Sequence, residues 1–444
     1  MEASDQSGGT QGELTDAPDA VIGIAAEAEL SEAALSALPA EVFAQSLSEY
    51  FRAWGRRLRN GESGALPIIG GLIGVVIFFQ LEQSQFLTSV NLVNLFVQAS
   101  IYVMFGAAEL GALLLSEIDL SVGYVGAVAA FIIAELNQPP VSLPWWIGVI
   151  AGVGFTCLWG ALQGTLITRI GLPSFVVTLG GLLAMQGLML ELATVDKTAS
   201  GGVITLNGAS PVYKLAGSQM SATLSWIVLV ATLAGIAAYS LARARRRRRQ
   251  GLAAPPLGVT LLTLVLTAIG GTVLVVICNS NTPAGVPWVV PFVVIVLGVF
   301  GFVLSSTKLG RYIYAIGANP EAARRAGVNV SLVRTIGFAI CGLLAGMAGM
   351  VYESRLGSMS TDIDGGTIVL YAVAAAVIGG ASLFGGRGRP LHALLGGLVI
   401  AVVVNGLGLM GVSTAITDMI TAAVLIAAVT LDALVRRRAA PGLR

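Results

Sequence analysis

The chain has 444 residues, of which 55% are hydrophobic and only 11% are charged, and its formal net charge is +1. A soluble globular domain carries about 25% charged residues, so this composition excludes an ordinary soluble domain. Uncharged runs of about 20 residues can cross the hydrocarbon core as helices, and in lipid the backbone polar groups must be satisfied within the protein. The sequence therefore predicts an all-α, polytopic transmembrane helical bundle.

Residues 1–60 differ in composition from the rest of the chain. The first 50 residues contain ten acidic side chains and no Lys or Arg. Such a segment cannot bury enough apolar surface to fold, so we predict an acidic cytoplasmic tail that is largely disordered. A helical pattern from Glu41 to Arg59 ends in an arginine cluster. This pattern suits either a solvated tail or a short amphipathic helix on the inner membrane surface.

Residues 61–438 form one predicted transmembrane domain with about twelve apolar spans. The third and tenth spans are short, which is tolerated where protein rather than lipid surrounds the backbone. The predicted spans are Leu66–Leu81, Val93–Leu115, Val122–Leu136, Pro144–Thr168, Ser174–Leu192, Thr223–Ala242, Leu257–Cys278, Trp288–Ser305, Thr335–Tyr352, Thr367–Gly379, Leu391–Met410 and Ala415–Leu434.

Arginine indicates the orientation, because short cytoplasmic loops collect positive charge. With the amino terminus inside, alternation over twelve spans places all six basic clusters on the cytoplasmic side, so both termini are predicted to be cytoplasmic. Two cytoplasmic connections stand out, a basic loop of residues 243–257 and a longer loop of residues 305–334. The run Arg243–Arg249 suits nucleic acid, anionic lipid, or an anchor beside the membrane. We interpret it as an anchor against membrane lipid and predict no nucleic-acid partner.

Glycine pairs recur at close spacing in the apolar spans, at Gly70/Gly74, Gly342/Gly346 and Gly379/Gly380. Small residues let membrane helices approach closely, so we interpret these pairs as packing positions.

Catalytic and metal-binding patterns are absent from the sequence. The three cysteines have no CxxC spacing, His392 is the one histidine, and neither HExxH nor GxSxG occurs. No GxxxxGK[ST] phosphate loop is present, so the chain cannot cradle ATP phosphates in that way. We predict no catalytic residue, no metal and no cofactor, with any ATP bound by a partner subunit.

The loop of residues 305–334 carries local signals for a short helix. Asn319 or Pro320 can start it, since Pro suits the first helical position and Glu321 favours the positive helix end. The run EAARRA has high helix propensity, and Gly327 then terminates the helix. The helix is either a chance feature of a solvated loop or a contact that a soluble partner pushes. The candidate contact residues are Gly317, Asn319, Pro320, Glu321, Ala322, Ala323, Arg324 and Gly327.

Four polar residues in or beside the apolar spans are candidates for the translocation path, because such groups are costly in a membrane. Glu117 and Asp119 follow the second span; Asp119, with Ser121, suits capping of the next helix, and a structural or gating role competes with direct substrate contact. Glu109 is deeper, and either faces the path or bonds a neighbouring helix in its protonated form. Asn405 offers a substrate contact or an interhelical hydrogen bond.

Several segments resemble, in the same order, the permease subunits of ATP-binding-cassette importers, in particular the monosaccharide branch. The resemblance covers most of residues 99–432 and lies in EIDLSVG, PSFVVTLGGLLAMQG, the GRYIYAIGANPEAARRAG loop, AVIGGASLFGGRGRP and NGLGLMGVS. The helical pair around RARRRRRQGL, followed by GVPW, is similar to xylose-type permeases, which implies a ten-span core plus an extra helical pair.

The resemblance implies a multi-pass subunit of the bacterial cytoplasmic (inner) membrane that imports a monosaccharide, in particular a pentose such as xylose. It implies three partners: a separate ATPase that pushes the 305–334 loop, an extracytoplasmic sugar-binding protein, and a second copy of the chain. The rival hypothesis is a proton-coupled secondary transporter, with Glu109 as the best titratable group. Such carriers often contain two matching halves, and no such duplication is visible in the sequence.

Overall fold

A computed structural model describes residues 66–139, 141–195, 203–249 and 257–439, together with Arg52 and Gly55. The rest of the predicted acidic tail, residues 1–60, lies outside the described residues. The described chain is helical almost throughout, which confirms the predicted all-α helical membrane bundle.

The described helices are taken in chain order. They are α1 Leu66–Glu82, α2 Ser89–Leu113, α3 Val122–Asn137, α4 Trp145–Thr165 (continued by a π-helical turn, Leu166–Ile170), α5 Ser174–Val195, α6 Pro211–Gly217, α7 Ala222–Arg249, α8 Leu257–Asn279, α9 Val289–Ser306, α10 Lys308–Ala318, α11 Pro320–Arg325, α12 Val330–Leu356, α13 Gly365–Ile378, α14 Pro390–Leu409 and α15 Thr414–Ala439. Two short strands, β1 Ile204–Thr205 and β2 Ser358–Met359, pair antiparallel, with Ile204 opposite Met359.

Each predicted span lies on one of these helices. Eight helices of the described chain are long and apolar enough to cross a membrane: α2, α4, α5, α7, α8, α9, α12 and α14. The apolar parts of α1, α3, α13 and α15 are shorter. Most residues of α3 and α13 are buried, so protein surrounds the two helices that the sequence marks as short. The count of twelve crossings and the cytoplasmic termini stay predictions.

The packed part of the chain divides into two compact units. The larger comprises Gly61–Thr232 and Ala268–Arg444, and residues 233–267 belong to the other. Within the larger unit, α2 is buried along most of its length and packs against α12, α13 and α14, while α12 also packs against α3 and α4.

Small residues bring α4 and α12 into backbone contact. A Cβ atom added at Gly342 of α12 would lie 2.1 Å from the carbonyl oxygen of Thr156, and one at Gly160 of α4 would lie 2.1 Å from that of Phe338. Gly346 is equally tight against the Thr156 hydroxyl, at 2.2 Å. In lipid, such close packing is a main source of helix association. The predicted packing role of Gly342 and Gly346 is therefore confirmed.

The other two glycine pairs have different outcomes. A Cβ at Gly379 would meet the backbone oxygen of His392 at 1.8 Å, and Gly380 has a φ of +103°, which favours glycine. Gly70 and Gly74 have no described atom within 4 Å of an added Cβ, so the prediction that they are packing positions is wrong for the described chain. The reason is that α1 turns this face away from the helices it contacts.

The predicted basic loop of residues 243–257 needs correction in its first half. Helix α7 continues to Arg249, so the run Arg243–Arg249 is helical, and residues 250–256 lie outside the described residues. Arginine has good helix propensity, and cations in a last helical turn are stabilised by the helix dipole.

Candidate functional site

The predicted short helix of the 305–334 loop is present as α11. Asn319 is its N-cap, with its side-chain Oδ1 accepting the Ala322 N–H at 2.9 Å, and Pro320 occupies the first turn. Gly327 follows the helix with a φ of +81°, as a helix terminator requires. Glu321 pairs with Arg324 and Arg325 at 2.9 and 3.3 Å, although pairs this exposed contribute little stability.

The eight candidate contact residues divide into two sets by exposure. Gly317 and Ala323 are buried and face the protein. The other six are exposed: Asn319, Pro320, Glu321, Ala322, Arg324 and Gly327. This arrangement suits a helix that docks a partner. The buried small residues fix the position of the helix, and its exposed polar face stays free for contact.

A second helix, α10, precedes α11 and was not predicted. Thr307 caps it by accepting the Gly310 N–H at 3.2 Å, and Ile313, Ile316 and Gly317 form its buried face. The Tyr314 hydroxyl donates to the Gly388 carbonyl oxygen at 2.7 Å. Burial raises the pKa of this hydroxyl, partly opposed by Arg389, so Tyr314 remains a donor at neutral pH. Helix α10 thereby seats α11 on the bundle.

Three chain segments meet beneath α10, and we call this contact the glycine junction: Leu114–Ser116, Gly317–Ala318 and Gly385–Gly386. The Ser116 hydroxyl lies 2.9 Å from the Gly317 carbonyl oxygen and 3.0 Å from that of Phe384. The Gly386 N–H donates to the Leu114 carbonyl oxygen at 3.1 Å. A Cβ at Gly317 would lie 1.9 Å from that same Leu114 oxygen. The backbone of α10 is therefore in direct contact with the backbone of the α2–α3 connection, with no room for a side chain between them.

Glu117, in the α2–α3 connection, forms an ion pair with α12. Its carboxylate pairs with Arg334 at 3.3 Å, with side-chain exposures of 11% and 24% respectively. Arg334 lies in the first turns of α12, directly after the candidate docking helix. The structure thus places Glu117 in a mostly buried ion pair, where removing one partner leaves a charge uncompensated.

Glu109 and Asp119 lie together in the bundle interior, with 0% and 1% of their surface exposed. The Asp119 N–H is 3.4 Å from Glu109 Oε1, and the Asp119 carboxylate accepts the Ser121 hydroxyl at 2.6 Å and the Cys341 thiol at 3.4 Å. Gln163 of α4 donates to the Ser121 hydroxyl at 3.1 Å. These groups link α2, α3, α4 and α12. Asp119 also accepts the Ser121 N–H. Ser121 is the N-cap of α3 but makes no capping bond, so the predicted capping of α3 by Asp119 and Ser121 is not present in this form.

Asn405 pairs with Asn91 of α2 through both of its amide atoms. Asn405 Nδ2 donates to Asn91 Oδ1 at 3.1 Å, and Asn91 Nδ2 donates to Asn405 Oδ1 at 2.9 Å. Both residues are 7% exposed. Of the two roles that the sequence leaves open for Asn405, this geometry favours the interhelical hydrogen bond.

The amide pair gives a prediction. Asn91→Leu and Asn405→Leu should each lower the thermal stability of the purified protein, because each leaves the side-chain oxygen of the facing buried amide without its hydrogen-bond partner. Asn91 keeps its second bond, from Nδ2 to the Phe86 carbonyl oxygen at 2.8 Å. The double variant should be more stable than the sum of the two changes predicts, with a coupling of about 0.6–2 kcal/mol. The measurement is a double-mutant cycle of melting in detergent. Additive losses would contradict the pairing.

Known proteins provide an independent comparison. Residues 91–429 match the family described as the permease component of branched-chain amino acid transport systems. The chain belongs to this permease family. It is 33% identical to the xylose transport system permease protein XylH of Escherichia coli (strain K12) over 378 residues, which cover 84% of this chain and 92% of that protein. No solved structure matches the chain.

Two further relatives of the permease carry other sugars in their names. The D-allose transport system permease protein AlsC of Escherichia coli (strain K12) is 29% identical, covering 82% of this chain and 89% of the relative. The ribose import permease protein RbsC of the same strain is 30% identical, covering 78% and 87%. Proteins of this kind are permease subunits of ATP-binding-cassette transporters and not enzymes, which confirms both predictions for this chain. It is a multi-pass membrane protein, and its family implies an ATPase and a binding protein as partners.

Proposed function

We propose that this permease imports a monosaccharide, in particular a pentose such as xylose, across the bacterial cytoplasmic membrane. A separate subunit binds and hydrolyses ATP, an extracytoplasmic protein delivers the sugar, and two copies of the permease enclose the path. The names of the relatives support a sugar. Family membership favours this reading over the proton-coupled carrier, because the relatives are subunits of ATP-driven systems.

The mechanism rests on one observation: the end of α10, which directly precedes α11, lies in the glycine junction. The exposed face of α11 offers Glu321 and Arg324 to the ATPase. Motion of α11 passes through α10 to the α2–α3 connection by the backbone contact at Gly317. The Glu117–Arg334 pair carries the same motion to α12. Access to the path therefore changes when the ATPase subunits close or separate.

Reconstitution in vesicles tests this function. The permease, its ATPase and its binding protein are expected to take up D-xylose only together and only with ATP. A protonophore should leave uptake unchanged. Uptake that persists without the ATPase, or that the protonophore abolishes, would refute the proposal.

Two asparagine caps provide a sharper test of the docking helix. Asn319→Ala removes the cap of the six-residue helix α11, which should fray because a cap contributes about 0.5–2 kcal/mol. We expect D-xylose uptake to fall severalfold. Asn329→Ala is the matched control, because Asn329 caps α12 in the same way, with its Oδ1 accepting the Leu332 N–H at 3.0 Å. Helix α12 has 27 residues and is held by packing, so uptake should change little. Equal effects of the two variants would count against a docking role for α11.

A further inference from the structure

A band of polar and aromatic side chains crosses four helices of the larger unit, and we call it the polar band. It does not include any of the candidate path residues discussed above. Its members are Asn94, Gln98 and Tyr102 of α2, Arg355 of α12, Tyr371 of α13 and Asp418 of α15.

The contacts within the polar band form two groups, which are joined by one face of α2. Asn94, Gln98 and Tyr102 recur every four residues and therefore share one face of α2. Arg355 donates from Nη1 to Asn94 Oδ1 at 2.9 Å.

The contacts continue from Tyr102 onto two further helices. The rings of Tyr102 and Tyr371 meet edge to face, with centroids 5.4 Å apart. The Tyr371 hydroxyl donates to Asp418 Oδ1 at 2.6 Å. The band therefore joins α2, α12, α13 and α15 into one surface.

The polar band begins at the end of the bundle away from α11 and extends to about the middle of α2. Arg355 is in the last turn of α12, whose 27 residues span about 40 Å from their start beside α11. Asn94 and Asp418 lie in the first two turns of α2 and α15, which begin at this same end. In the predicted orientation this is the extracytoplasmic end, where a binding protein delivers its ligand.

Exposure distinguishes the polar band from the buried polar groups. Asn94 is exposed and the other five members are partly exposed, whereas Glu109 and Asp119 are sealed inside the bundle. Polar side chains on membrane helices are costly against lipid, so an accessible band of them indicates a face that meets water or a polar ligand.

An interfacial aromatic belt would be the plainer explanation, since Tyr and Arg are common at membrane surfaces. Tyr102 argues against it. It lies thirteen residues after the start of α2, about 20 Å along the helix, which is too deep for the headgroup level. Its ring also packs against Tyr371 of another helix, whereas the ring of a belt residue would face only the membrane surface.

We infer that the polar band is the outer sugar-contact surface of the translocation path, an inference that rests on the proposed function. The two amides and the tyrosine hydroxyls both donate and accept hydrogen bonds, Arg355 donates and Asp418 accepts. A monosaccharide needs this mixture, because each hydroxyl is donor and acceptor. One cation and one anion leave the band without net charge, which suits a neutral ligand. The same two charges would also suit a zwitterionic amino acid, so the test includes one.

The experiment uses the complete transporter in vesicles, with D-xylose as the probe and L-leucine as a competitor. The variants are Gln98→Ala and Tyr102→Phe, and the latter keeps the ring and removes only the hydroxyl. Each should lower D-xylose uptake about threefold to tenfold, the effect of one lost hydrogen bond. ATP hydrolysis stimulated by the binding protein should stay within about twofold, because the band is remote from α11. Gln85→Ala is the matched control, an exposed glutamine just before α2, and should match the wild type.

The possible results distinguish the role of the polar band from the proposed sugar import on which it rests. Wild-type vesicles that take up no D-xylose would refute the proposed function and this inference with it. Wild-type uptake that both variants retain would overturn the polar band alone. A parallel loss of uptake, hydrolysis and melting temperature would assign these residues to folding and would also overturn it. Competition by excess L-leucine would overturn the assignment to a sugar.

Discussion

Gly342→Val is expected to lower the free energy of unfolding of the purified permease by about 3 kcal/mol or more, which is the upper end of the usual cost of overpacking. The added Cβ would lie 2.1 Å from the Thr156 carbonyl oxygen, and the next nearest atoms also belong to backbone. Backbone cannot move aside like a flexible side chain, so α4 and α12 must separate. Separation also loosens the neighbouring contacts at Gly160 and Gly346.

The matched control for this change is Gly187→Val. Gly187 is also helical, in α5, and has no described atom within 4 Å of an added Cβ. Both variants make the same change in helix propensity, so the difference between them isolates the crossing of α4 and α12. Melting in detergent, followed by the fraction that remains monodisperse, measures both. Equal melting temperatures would contradict the close approach of these helices.

Gly317→Val is expected to abolish most D-xylose uptake while the ATPase still binds. The added Cβ would lie 1.9 Å from the Leu114 carbonyl oxygen and 2.5 Å from the Gly386 backbone nitrogen, so α10 must lift off the glycine junction. The exposed face of α11 stays available to the ATPase, but its motion no longer reaches the α2–α3 connection. Uptake should fall about tenfold or more, since a loss of about 1.4 kcal/mol already produces that factor.

Two further variants make this prediction specific. Gly317→Ala adds the Cβ alone and should give an intermediate loss. Gly298→Val places the same valine in α9, in open space and close in sequence to the docking helix, and should leave uptake unchanged. Co-purification of the ATPase with each variant separates uncoupling from failed assembly. Normal uptake in Gly317→Val would show that coupling does not pass through the glycine junction.

Local signals explain why the short helix α11 was predictable. Asn319, Pro320 and Gly327 act on atoms within four residues of themselves, through a cap, a fixed φ and a left-handed turn. Helix α10 was missed because KLGRYIYAIGA contains two glycines and four β-branched or aromatic residues of low helix propensity. Its burial against the bundle overrides that propensity, and burial is not a local property.

The partners of the polar side chains were not predictable in the same way. Asn405 was recognised as a polar residue in an apolar helix, but its partner Asn91 is 314 residues away. Glu117 pairs with Arg334, and Ser116 reaches Gly317 across 201 residues. Ser116 carries no signal in the sequence beyond its place beside EIDLSVG. The polar band was missed because its members come from four helices, and only Asn94, Gln98 and Tyr102 repeat with a helical period.

The sequence by itself determined the membrane class, the positions of the apolar helices and the form of α11, because hydropathy, length and helix caps act over one or two helical turns. The tertiary structure alone decided which helices touch, that Gly317 and Gly342 have no room for a side chain while Gly74 does, and that Glu109 is sealed while Asn94 is accessible. These are properties of contacts between segments far apart in the chain. Nothing in the residues of one segment specifies which face of another will lie against it.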